Sequence, residues 1–144
     1  MTASFEYFEH GADVGVRGFG ATPEEAFLGA ARALFSLVAE ELKGTPGSIE
    51  QPLECEAVDL EELLVAFLNE LISAADARRL VFCRFEIQID ASRPGHFRLT
   101  GRAWGDPYDP SRHESTVEPK GATFTELRVA KEGERWLAQC VVDV

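Results

Sequence analysis

Three stretches of this sequence carry polar groups in settings that simple packing does not account for. Asp13 is a carboxylate at the mouth of an apolar strand, among the small residues Gly11, Ala12 and Gly15. Gly105-Asp106-Pro107-Tyr108-Asp109-Pro110-Ser111-Arg112-His113 is dense in polar side chains and prolines, and long polar loops are either functional or mobile. The third stretch is the end of the sequence, where an apolar strand finishes on Asp143 and then Val144 with its α-carboxylate; an ordered acidic ending differs from the usual frayed tail. Within the loop, Arg112 beside His113 can meet a phosphate or a carboxylate. Each residue also has a plain structural alternative. Asp13 can close an Asx-turn or cap a strand end, and Asp143 can be an exposed acid. Asp106 and Asp109 can form turns before their prolines, and His10 can be a satisfied structural histidine. Lys120, before Gly121 at a strand entrance, can be a solvated lysine.

The elements that must position these residues follow from periodicity. Residues 4–8 alternate aromatic and acidic and predict a short strand, and residues 14–19 a second, with a turn at His10-Gly11-Ala12-Asp13. Thr22-Pro23-Glu24-Glu25 predicts a helix start with a capping box. Ala26, Phe27, Ala30, Leu34, Leu37 and Val38 then recur as one apolar stripe, and a loop falls at residues 44–47. Residues 53–58 predict a strand. Asp59-Leu60-Glu61-Glu62 repeats the capping logic ahead of Leu64, Phe67, Leu68, Leu71 and Ile72. From Leu80 the period changes to two, with Val81, Cys83, Phe85, Ile87 and Ile89 on one face. Ser92-Arg93-Pro94-Gly95 turns the chain into a returning strand through Phe97, Leu99, Gly101 and Ala103. Residues 105–119 predict a loop, 123–129 a strand, Lys131-Glu132-Gly133-Glu134 a hairpin turn, and 136–144 a last strand apolar on both faces, as in mid-sheet. The order is α+β, a mostly antiparallel sheet with two main helices.

The 144 residues are the size of one domain, taken as 1–144, and such a chain buries roughly 70% of the surface it would expose unfolded. Twenty-five acids against 14 bases give a net charge of −11. Phosphate backbones are bound by neutralising Lys and Arg, so strong unaided nucleic-acid binding is not expected. An acidic surface suits a divalent cation or a basic protein partner. Cys55, Cys83 and Cys140 lie far apart in apolar stretches and read as small buried hydrophobes, without disulfide or zinc spacing. No leader or membrane-length apolar run is present, so a soluble cytoplasmic protein is expected.

The motifs resemble those of the archease family. His10-Gly11-Ala12-Asp13-Val14-Gly15 looks like the family's opening motif, His-x-Ala-Asp-Val/Ile-Gly. Thr22-Pro23-Glu24-Glu25-Ala26-Phe27 resembles its first helix, and Leu63-Leu64-Val65-Ala66-Phe67-Leu68-Asn69-Glu70-Leu71 its second. Gly105-Asp106 through Arg112-His113, Val117-Glu118-Pro119-Lys120 and Val141-Val142-Asp143-Val144 follow in family order. The chain departs from the pattern at Thr125, where relatives often carry a histidine, and at Asp106, where a glutamate is frequent.

The resemblance implies an elaborated strand-helix-strand-strand fold. It implies a divalent-cation site, described for the family as calcium, on Asp13, Asp143 and Val144. His10, Asp106, Arg112, His113 and Lys120 become candidates for a functional loop around it. It also implies a partner, a GTP-dependent RNA-splicing ligase active in tRNA splicing and RNA repair. The family promotes that ligase's guanylylation and multiple turnover without being an enzyme itself. Carboxylates are the oxygen ligands hard cations take, and converging carboxylates without a cation would repel. Asp13 and Asp143 rise above their plain alternatives only if the fold brings them together. Two other readings stand beside this one. A general chaperone or scaffold would act through exposed apolar surface. A metal-dependent hydrolase would use Asp13, Asp143 and His113, but no nucleophile elbow, P-loop or HExxH accompanies them.

Overall fold

The computed structural model describes residues 4–38, 47–108 and 118–144. Its elements are β1 (Ser4–His10), β2 (Asp13–Gly20), α1 (Pro23–Val38), β3 (Ile49–Ala57), α2 (Leu60–Arg78), β4 (Leu80–Arg93), β5 (His96–Pro107), β6 (Gly121–Ala122), β7 (Arg128–Glu132) and β8 (Arg135–Asp143). They build two sheets. In one, β1, β2 and β8 lie side by side, and β6 and β7 share the far edge of β8; the other has the order β3-β5-β4. All the pairings are antiparallel. Each helix touches strands of both sheets, which is the expected α+β class.

Local sequence sets both helix starts. The Glu25 N–H donates to Thr22 Oγ1 at 3.2 Å, and the Ala21 N–H donates to Glu25 Oε2 at 2.6 Å. This is a capping box whose return bond is taken one residue before the cap. At α2 the Glu62 N–H donates to Asp59 Oδ1 at 2.8 Å. The helix ends where Arg79 turns left-handed at φ 53 and its N–H reaches the Ala75 carbonyl. The stripe Ala26, Phe27, Ala30 and Leu34 is wholly buried. Phe27 stacks on Phe67 of α2 with ring centroids 5.9 Å apart, and Phe35 meets Phe82 and Phe85 of β4 at 5.4 and 5.8 Å. Such pairs contribute about 1 kcal/mol beyond their buried area. Where α1 crosses β2, Gly29 faces Gly18. A Cβ on Gly29 would stand 2.9 Å from the Gly18 Cα, and one on Gly18 would run into the main chain at Ala26 and Ala30. This close crossing seats β2, which begins at Asp13.

Three expectations are corrected. In β4 the register shifts between Phe82 and Arg84. The bulge changes the parity of the strand, so Phe82 joins Phe85 in the core and Cys83 is half-buried instead of lining up with Phe85. Residues 105–107, expected in a loop, complete β5 opposite Phe82, Val81 and Leu80. Residues 123–127, expected as strand, form a turn, and β7 starts at Arg128. Here the Thr123 hydroxyl donates to the Val141 carbonyl at 2.8 Å, the Val141 N–H donates to the Thr125 carbonyl at 3.0 Å, and Glu126 is left-handed at φ 54. A hydroxyl that bonds the main chain competes with a regular ladder.

Cys55, Cys83 and Cys140 are not joined in disulfides. Burial pushes the thiols of Cys55 and Cys140 up to about 12, with the Glu70 charge adding to the effect at Cys55. Thiols held so far from ionisation are poor nucleophiles. Among the described residues, no helix is long and apolar enough to cross a membrane.

Candidate functional site

β8 ends between β2 on one side and β6 on the other. Val14 pairs with Val142, and Gly121 pairs with Asp143. One further step of the β2–β8 ladder brings Asp13 opposite Asp143, and strand alternation puts both on the face of Gly15 and Val141. His10 joins the same row, because the β1–β2 hairpin pairs it with Asp13. Gly11, at φ 61, allows that two-residue turn. The row therefore reads His10, Asp13, Asp143, Gly121 across four strands. It is closed by a bond between the start of β2 and the residue after β8: the Val144 N–H donates to Asp13 Oδ1 at 3.3 Å.

The neighbouring row braces this one. The Phe8 ring lies against Gly15, where no Cβ would fit. The Arg17 guanidinium stands 4.7 Å from the Phe8 centroid, donates to Glu6 Oε1 at 2.6 Å, and donates through Nε to Gln139 Oε1 at 2.7 Å. One cation thus ties β1, β2 and β8 together beside the acidic row. On the β6 side the Lys120 N–H donates to the Asp143 carbonyl at 2.8 Å. Asn69 of α2 accepts the Ala122 N–H at 2.8 Å and donates to the Ala122 carbonyl at 3.2 Å.

The candidate residues divide accordingly. Asp13 and Val144 are half-buried and Asp143, His10 and Lys120 are exposed, all at this end of the sheet. Asp106 is elsewhere. It is 9% exposed and accepts from the Gly47 N–H at 2.8 Å, the Ser48 hydroxyl at 3.1 Å and the Ser48 N–H at 3.4 Å, so it anchors the entry to β3. Arg112 and His113, like Asp109, lie outside the described residues. Asn69 was not singled out from sequence. Its signal was a poor helix former inside an apolar run, between Leu68 and Leu71, a position where the amide needs partners.

Hard divalent cations take oxygen ligands, and the carboxylates of Asp13 and Asp143 with a main-chain oxygen of Val144 fit in donor type. Among the described residues, no group of three or more His, Cys, Asp and Glu side chains is placed to hold a metal ion. A cation here would need main-chain oxygen and water to fill its shell. A cavity of about 470 Å³ lies apart from this row, between Leu34 and Phe35 of α1 and Ile72 and Ala75 of α2. Its rim, Val38, Tyr108 and Glu118, adjoins undescribed stretches, and no site is assigned to it.

Comparison with known proteins identifies the family. Residues 5–144 match the model of the archease protein family (MTH1598/TM1083). The chain is 39% identical over 141 residues to "Protein archease" of Pyrococcus furiosus, covering 97% of this chain and 98% of that one. It is 34% identical over 140 residues to the protein of that name in Methanosarcina mazei, covering 97% and 95%. Among solved structures, Methanobacterium thermoautotrophicum protein 1598 superposes with a TM-score of 0.85 at 29% identity, covering 98% of this chain and 99% of that one. A Thermotoga maritima protein described as an archease and possible chaperone shares the fold, with a TM-score of 0.56 at 17% identity over 96% of each chain. With a family model spanning nearly its whole length and relatives well above 30% identity, this chain belongs to the archease family.

Proposed function

We propose that this protein is a non-catalytic activator of a GTP-dependent RNA-splicing ligase, acting through calcium or another divalent cation held by Asp13, Asp143 and Val144. The observation that carries the reading is the Val144 N–H on Asp13 Oδ1 at 3.3 Å, because it joins the opening motif to the end of the sequence. A bound divalent cation would supply positive charge and open positions for phosphate oxygens. Asp13 and Asp143 would hold it, with His10 and Lys120 at the rim of the row. The net charge of −11 favours docking on a basic protein surface over RNA. Guanylylation of a purified ligase at limiting enzyme is expected to rise on adding this protein and to fall back with Asp13→Ala. Stimulation by Asp13→Ala equal to wild type would refute the role given to the site.

A chaperone reading has its own support. The Thermotoga relative is described as a possible chaperone, and Phe5, Tyr7 and Phe124 are 38%, 41% and 65% exposed here. It predicts protection of unrelated unfolding proteins whether or not calcium is present.

A further inference from the structure

We propose that Asn69 is a positioning residue for the Asp13–Asp143 row: its side-chain amide locks the register of residues 120–122 on β8, so that a glycine and not a lysine stands opposite Asp143. The proposal rests on the cation reading above and adds to it the residue that keeps the carboxylate available.

β6 is two residues long and one of them is Gly121. A pairing so short specifies its register weakly, and a slip of one residue turns each side chain to the other face. Ala122 pairs with Val142, but the bonds to β8 come from outside the pair of strand residues, the Thr123 N–H donating to the Val141 carbonyl at 3.0 Å and the Lys120 N–H to the Asp143 carbonyl at 2.8 Å. The N–H and C=O of Ala122 itself point away from β8, and the Asn69 amide takes both, at 2.8 and 3.2 Å. A Cβ on Gly121 would lie 3.5 Å from Asn69 Oδ1, so the amide lies along the backbone of both β6 residues. It acts as one residue of additional strand. It is also rigidly held, because Leu68 and Leu71 on either side of it in α2 are wholly buried.

Gly121 carries no side chain beside Asp143, which leaves that face of the row open. In a register slipped by one residue, Lys120 would stand opposite Asp143. Its ammonium would pair with the carboxylate and compete directly with a divalent cation. Asn69 thus selects the register in which Asp143 stays free for the cation.

The test measures calcium affinity by titration calorimetry and amide exchange at Ala122 by NMR. Asn69→Ala should preserve α2, since alanine is the better helix former, and far-UV circular dichroism checks this. The expected result is faster exchange at Ala122 and calcium binding weakened about tenfold, the lower end for groups that orient metal ligands. In the double variant Asn69→Ala, Lys120→Ala, affinity should equal that of Lys120→Ala alone while exchange stays fast, so that Asn69→Ala costs affinity only when Lys120 is present, which a merely structural role for Asn69 would not produce. Ser73→Ala, exposed one turn further along α2, should change neither quantity. The proposal is overturned if Asn69→Ala leaves Ala122 exchange unchanged, if exchange rises with no loss of calcium affinity, or if Asn69→Ala costs the same affinity with Lys120 removed. Absence of calcium binding by wild type, indistinguishable from Asp13→Asn, would instead remove the cation reading itself and this proposal with it.

Discussion

Asp106 and Asp13 are the same residue type near the ends of two strands, and the fold uses them in opposite ways. Asp106 stands one residue from the end of β5, 9% exposed, with the Gly47 N–H, Ser48 N–H and Ser48 hydroxyl aimed at its oxygens. Asp13 opens β2 half-buried and takes the Val144 N–H. An ionised carboxylate has about four acceptor positions. Three donors meet the Asp106 oxygens, while among the described residues one bond is seen at Asp13. Capacity to bind follows from acceptor positions the fold leaves unused. A polar residue in a suggestive motif is not enough.

The sharpest way to break this contrast is Asp106→Ala. It would leave the Gly47 and Ser48 donors without their acceptor and should cost about 2–3 kcal/mol, read as a lower urea midpoint at unchanged slope. A loss below about 0.5 kcal/mol would mean that the residue is not structural. Asp13→Asn should show the reverse pattern. With calcium at about a hundredfold over its dissociation constant, wild type should gain about 2.7 kcal/mol, measured as a rise in melting temperature, and the variant should gain little. Equal calcium responses would return Asp13 to a strand-end cap.

The smallest effect concerns Glu70, a carboxylate half-buried like Asp13. Burial raises its pKa above 4.5, against the Glu54 N–H bond at 3.0 Å, which lowers it. The fold therefore favours the protonated form. The stability this contributes is complete below about pH 4.5 and is lost as pH rises through the folded-state value. Glu70→Gln keeps an acceptor for that N–H and carries no charge. At pH 7 it should be more stable than wild type by at most about 0.5 kcal/mol, since solvent screens the partly exposed group. The gain should vanish in melts below pH 4.5. A difference that persists in acid would trace the effect to packing.

Both helices and most strands were legible in the sequence, because their signals are local. Thr22-Pro23-Glu24-Glu25 and Asp59 satisfy orphan N–H groups within one turn, and a stripe or an alternation reports the face a segment buries. Two strand expectations failed where the chain departed from a period. The bulge at Cys83 keeps Phe82 in the core by changing parity. The turn at residues 123–127 depends on main-chain bonds to Val141, and Val141 lies far along the chain. A window short enough to show a strand period does not contain those partners.

The candidate site divides along the same line. The opening motif around Asp13 and the acidic ending at Asp143 are visible as residues, and so is the family to which they point. Their adjacency is decided by the β2–β8 register, which the close crossing of Gly18 and Gly29 and the burial of Val16, Cys140 and Val142 hold in place. The opposite fate of Asp106 was equally out of reach, because its donors lie some sixty positions earlier in the chain. Sequence by itself determined which groups could serve and which segments would carry them. Tertiary structure alone decided which carboxylates meet and which are spent, since both outcomes depend on contacts between residues distant in the chain.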